Sequence, residues 1–183
     1  AKLERGYDQI IEIWGADHHG YVNRFNAVVR AFGRPEGAKF LLMQLVKLVK
    51  NGEEVRMSKR AGNVVTMDEL IERVGHDVAR FFFLQYSPDT HMTFDLGLAE
   101  ERSQKNPVYY VQYAHARMTS ILERAKNASY DYRNADLQLL THEKEKSLIR
   151  ELLTFQDFLE LAATDLAPHR LPQLAIRLAD KFH

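Results

Sequence analysis

The 183-residue chain has no cysteine, one tryptophan, five prolines and no excess of charge of either sign. Without cysteine there are no disulfides, no thiolate nucleophile and no cysteine-based zinc site, and a reducing compartment is the fitting one. No apolar run approaches the ~18 residues a bilayer-spanning helix needs. No cationic leader with an apolar stretch opens the chain. A cytoplasmic location with no membrane partner is therefore expected. Lys plus Arg number 25, as do Asp plus Glu. Cut at residue 95, the balance holds on both sides, with 13 cations and 13 anions before the cut and 12 of each after it. A uniformly basic coat for nucleic acid is thereby excluded, and any RNA contact has to be local. What is present, 45% apolar and 27% charged residues, is the mix of a globular chain able to bury a core. The chain opens without Met, inside what reads as one element, and stops inside another, so a piece of a longer protein is expected.

Residues 7–14 (YDQIIEIW) read as a strand. A turn at Gly15, Ala16 and Asp17 leads into a helix over residues 19–32, with Val22, Phe25, Val28, Val29 and Phe32 at helical spacing. A strand entering a helix this way implies a parallel sheet, with sites at the strands' C-terminal ends. Residues 40–57 read as a hairpin about Asn51-Gly52, pairing Leu48 with Val55, Val46 with Met57 and Lys47 with Arg56. It presents RMSKRAGN (56–63) as a loop. Thr66 with Glu69 is a capping-box pattern opening a helix to Val74. A second helix runs over 77–85, and residues 89–95 read as a link. Beyond residue 96 the texture is helical: one long helix over 98–126, a polar loop over 127–137, and a helix over 142–165. That last helix carries Leu148, Leu152, Phe155, Leu159 and Ala162/Ala163 on one face. A final helix begins near Pro172.

Three places could carry chemistry. In the 56–62 loop, Arg56, Lys59 and Arg60 lie within five residues, with Ser58 and Gly62 beside them and no acid. Such a turn suits a polyphosphate whose charge grows during reaction; the plainer alternative is a solvated basic loop. In residues 15–19, Gly15 allows close approach, Asp17 can accept from ribose hydroxyls, and His18 or His19 can meet a phosphate. The alternative is a helix start with two exposed histidines. Adjacent histidines point apart and no Cys or Glu completes a set, so no protein-bound metal is expected. In residues 106–117, Tyr109, Tyr113 and Arg117 share one helix side, as RNA stacking would require; alternatively the tyrosines pack a bundle.

These residues also carry a family likeness. RMSKRAGN resembles the KMSKS signature of class I aminoacyl-tRNA synthetases, with Met57, Ser58 and Lys59 in place. WGADHHGY (14–21), EEVRMSKRAGNVVT (53–66), ARFFFL (79–84) and NPVYYVQYAHAR (106–117) together resemble arginyl-tRNA synthetases of bacterial type. The resemblance implies an α/β Rossmann-type catalytic half, with parallel sheet, hairpin and stem helices, over 1–95. An all-α helical bundle, the start of an anticodon-binding domain, would follow over 96–183. It implies ATP-dependent joining of L-arginine to tRNA(Arg) through arginyl-adenylate, with Mg2+ arriving on ATP, by an enzyme that is usually a monomer.

Position by position, the resemblance makes Lys59 and Ser58 catalytic, Lys59 stabilising the departing pyrophosphate. Gly15, Asp17, His18, His19, Met57 and Lys59 would meet ATP, and Asn106, Tyr109, Tyr113 and Arg117 would meet tRNA. Arg56 stands where the signature has Lys, keeping charge while changing donor geometry. Arg60 stands where it has Ser and occurs in the arginyl version of the loop. The histidine-bearing HIGH-type signature belongs upstream of residue 1, so the chain alone is expected not to aminoacylate. A related class I enzyme, such as the cysteinyl one, and a non-catalytic tRNA-binding module are the alternatives.

Overall fold

The computed structural model describes residues 2–50, 52–55 and 65–183. Strand β1 (Ile11–Gly15) pairs in parallel with β2 (Lys39–Met43), Ile11 opposite Lys39 and Gly15 opposite Met43. Between them a 3-10 segment (Ala16–Tyr21) feeds helix α1 (Val22–Ala31). The return to β2 needs Gly37, whose φ is +77°. Asn26 of α1 holds that turn by accepting from the Ala38 amide at 2.8 Å. Trp14, Phe25 and Phe40 meet edge to face between sheet and helix, with ring centres 4.6–5.7 Å apart.

A second sheet has the order β4-β3-β5: β3 (Val46–Lys50) lies antiparallel to β4 (Glu53–Glu54) and parallel to β5 (Met92–Asp95). The expected single hairpin over 40–57 is therefore corrected. Its first residues belong to β2, in the other sheet, and the chain turns at Gln44, whose amide donates to Pro88 O at 2.8 Å. The register of the remaining ribbon is as read, since the Val55 amide donates to Leu48 O at 2.8 Å. The Val46–Met57 and Lys47–Arg56 pairs lie outside the described residues. The expected link over 89–95 holds strand β5, which pairs in parallel with β3 and buries Met92 and Phe94.

Helices α2 (Met67–Val74) and α3 (His76–Leu84) cover this sheet, and α4 (Leu96–Glu100) follows β5 directly. Thr66 accepts from the Glu69 amide while the Glu69 carboxylate accepts from the Thr66 amide, completing the predicted capping box. Leu48, Leu70, Phe82, Met92, Phe94, Leu96, Ala99 and Val108 form one buried cluster.

The bundle comprises α5 (Pro107–Asn127), α6 (Glu143–Leu153), α7 (Phe155–Thr164) and α8 (Arg170–Phe182). Two expected long helices are each divided. The 98–126 pattern breaks between α4 and α5, where Asn106 and Pro107 restart the helix as N-cap and first residue. The 142–165 pattern breaks at Thr154, whose hydroxyl donates to Glu151 O at 2.8 Å. Leu152, Phe155 and Leu159 stay exposed, so the predicted continuous apolar face is only partly buried, at Leu148 and Ala162. Among the described residues the fold is mixed α/β, mostly helical, with two small sheets.

Candidate functional site

Strand β1 ends at Gly15, and the residues singled out just after it stand beyond the C-terminal ends of a parallel pair. Gly15 has ordinary extended angles, φ −65° and ψ 147°, so the position does not demand glycine for its backbone. What glycine supplies is room: a Cβ there would sit 2.6 Å from Asp17 Oδ1.

The 3-10 turn then spreads the two histidines. His19 Nδ1 lies 3.1 Å from Ala16 O. A carbonyl can only accept, so that nitrogen carries the proton and Nε2 is left for an outside partner. His18 instead leans toward Asp17, Nε2 to Oδ2 3.7 Å, with both side chains mostly exposed. Its ring sits 6.5 Å from Trp14 and 6.2 Å from Tyr21. Polar groups thus line a rim whose base is a packed aromatic cluster. Tyr21 and Arg24, which the sequence reading did not single out, complete the rim, with the guanidinium 5.6 Å from the ring centre. Their i, i+3 spacing at a helix start was the available signal. Among the described residues no group of three or more His, Asp or Glu side chains could hold a metal ion.

Met57, Ser58, Lys59 and the flanking Arg56, Arg60 and Gly62 lie outside the described residues, and so does any cleft shared between that loop and the β1 turn. The described part of the ribbon is β3, β4 and Val55.

On α5 the four candidates separate. Asn106 is buried at 2% exposure, with its side-chain amide bonded to backbone groups of α4 and α5. Tyr109 is exposed and points no hydroxyl at a described partner. Tyr113 stacks on His183, ring centres 5.5 Å apart at 18°, and keeps 44% of its surface exposed. Arg117 Nη1 lies 2.7 Å from His183 Nδ1, its guanidinium also facing the Phe182 ring at 5.4 Å. Ser120 and Arg124 continue the same exposed groove along α5. Elsewhere a mostly apolar cavity of about 290 Å³ opens between the β1–β2 sheet, the end of α3 and the α7–α8 turn, lined in part by Leu41, Phe83 and Leu166.

Residues 111–183 match the DALR anticodon binding domain. An arginine--tRNA ligase of Heliobacterium modesticaldum is 50% identical over 190 residues, covering 100% of this chain and 34% of the relative. One from Listeria monocytogenes is 50% identical over 184 residues, covering 100% of this chain and 33% of the relative. A Campylobacter jejuni crystal structure bearing an arginyl-tRNA synthetase designation superposes with a TM-score of 0.86 at 37% identity, over 100% of this chain and 40% of that one. The Thermus thermophilus arginyl-tRNA synthetase gives 0.74 at 25% identity, over 95% of this chain and 32% of that one. The chain spans about a third of the length of the curated relatives it matches. From end to end, then, this chain is similar in sequence and in fold to a stretch of the arginyl-tRNA synthetases.

Proposed function

We propose that the chain works within an enzyme that joins L-arginine to tRNA(Arg) using ATP. The arginine carboxylate attacks the α-phosphorus of Mg2+-bound ATP, pyrophosphate leaves, and arginyl-adenylate forms. A ribose hydroxyl of the terminal tRNA adenosine then attacks the arginyl carbonyl, and AMP leaves. The observation that carries this reading is the 50% identity to an arginine--tRNA ligase in an alignment that takes in 100% of this chain, with each signature segment inside it.

Residues 1–95 serve as the catalytic part, the β1–β2 parallel pair belonging to a Rossmann-type sheet. Residues 96–183 serve as the tRNA-binding part, with Leu96, Ala99 and Val108 as its foothold in the first core. At the β1 turn, Gly15 gives the nucleotide close access, Asp17 accepts from ribose hydroxyls, and His18 and His19 offer ring nitrogens to phosphate or arginine. Lys59, with Ser58 and Met57 placing the loop, neutralises charge on the departing pyrophosphate. On α5, Tyr109, Tyr113 and Arg117 present two rings and a cation to the tRNA.

The test uses the longer enzyme that contains this stretch. Lys59→Ala is expected to slow arginine-dependent ATP–pyrophosphate exchange roughly 10²-fold, the scale of losing one preorganised donor to developing charge. An unchanged rate removes Lys59 from the chemistry. The 183-residue chain by itself is expected to bind tRNA(Arg) without catalysing exchange.

A further inference from the structure

Asn106 is among the most deeply buried polar residues described, and it serves two helices at once. Its Nδ2 donates to Ala99 O at 3.2 Å and to Glu101 O at 3.0 Å, the carbonyls that α4 leaves open at its C-terminal end. Its Oδ1 accepts from the Val108 amide at 3.0 Å, capping α5. Helix ends leave such groups unsatisfied, and buried ones are costly when unpaired. One amide therefore ends α4 and starts α5 with the same side chain. Helix α4 is fixed in turn, because Leu96 and Ala99 are buried in the cluster around Phe94.

We propose that Asn106 is a positioning residue: a double cap that fixes the direction of α5 relative to the β3–β5 core. Given the reading of α5 above, on which this extension rests, Asn106 sets where Tyr109, Tyr113 and Arg117 meet tRNA without touching it.

Two substitutions separate the joint from the cap. Asn106→Asp keeps an acceptor for the Val108 amide and turns an oxygen toward Ala99 O and Glu101 O. Asn106→Ser keeps the cap and removes the far donors. Because the chain has no cysteine, spin labels at Glu72→Cys on α2 and Glu123→Cys on α5 report one distance. The expected result is a broadened distance distribution with helical circular dichroism retained. The affinity for tRNA(Arg) should fall roughly tenfold, as when the competent orientation drops to about a tenth of the population. If Asn106→Asp does not fold, the Asn106→Ser distribution decides. A distribution as narrow as the parent's in a folded variant overturns the proposal, as does failure of both variants to fold. Broadening with unchanged tRNA affinity would keep the joint and overturn the RNA role of α5 instead.

Discussion

The Tyr110 hydroxyl donates to Asp180 Oδ1 across 2.8 Å, tying the first turn of α5 to the last turn of α8. That bond holds the Tyr110 phenol above its usual range, because the hydroxyl must keep its proton to donate and a phenolate would face the carboxylate. A group whose folded-state value is raised contributes stability that is present below its unfolded value, near 10. That contribution is lost as pH climbs through the folded value. Tyr110→Phe should therefore lower stability at neutral pH by about 1 kcal/mol or less, since the pair is solvent-accessible. Urea titrations from pH 7 to 11 should show the gap between parent and variant closing at the alkaline end. A gap that widens there would mean the bond is not what holds the phenol.

Two helices open on capping boxes of unlike chemistry. Thr66 and Glu69 cap α2; His142 accepts from the Lys144 amide through Nδ1, at 3.2 Å, while Glu145 accepts from the His142 amide at 3.0 Å. Thr66→Ala should cost about 1 kcal/mol in chemical denaturation. His142→Ala should cost a similar amount, and His142→Asn should restore it, because an amide oxygen replaces the ring nitrogen as acceptor. If His142→Asn were no better than the alanine variant, the ring would matter for packing and not for the cap.

These caps also mark how far the sequence could be read. Thr66 and Glu69 stand three apart, so the signal was local. The Leu48–Val55 register followed from Asn51-Gly52 for the same reason. His142 went unread because histidine is an uncommon N-cap. Strand β5 went unread because its parallel partner β3 lies far back in the chain and leaves no mark beside Met92. The break before α5 was written in Asn106-Pro107 but hidden by apolar spacing that runs on across it. At the site, Gly15 and Asp17 were legible as a strand-end turn. The Tyr110–Asp180 bond spans 70 residues and could come only from the packed bundle.

Two glycines test whether room or backbone is the constraint. Gly37 combines a φ of +77° with a Cβ position 2.6 Å from Asn26 Oδ1, the acceptor that holds the Ala38 amide. Gly37→Ala incurs both left-handed strain and damage to that bond, about 2 kcal/mol or more together. Gly15→Ala meets only the exposed Asp17 carboxylate, which can swing aside. Its stability should change by less than about 0.5 kcal/mol. With Asp17 accepting from the ribose as proposed, moving it aside should still raise the longer enzyme's KM for ATP roughly tenfold, the scale of one charged hydrogen bond. An unchanged KM would take Asp17 out of nucleotide binding.

Leu166 sits where helices usually place glycine. Its φ is +54°, its amide donates to Ala163 O at 3.2 Å, and the Ala167 amide reaches back to Ala162 O at 2.8 Å, closing α7 in a Schellman turn. A leucine there bears roughly 1–2 kcal/mol of left-handed strain. The half-buried side chain offsets it by lining the cavity between the bundle and the β1–β2 sheet, on the order of half the 1.5–3 kcal/mol of full burial. Leu166→Gly relieves the strain, loses the packing and adds about 0.5–1 kcal/mol of unfolded-chain entropy, so it should come out near neutral. Leu166→Ala keeps most of the strain and loses most of the packing, so it should be the worse variant by about 1 kcal/mol. Denaturant midpoints for the two variants give the order directly. Alanine more stable than glycine would mean that the turn carries no such strain.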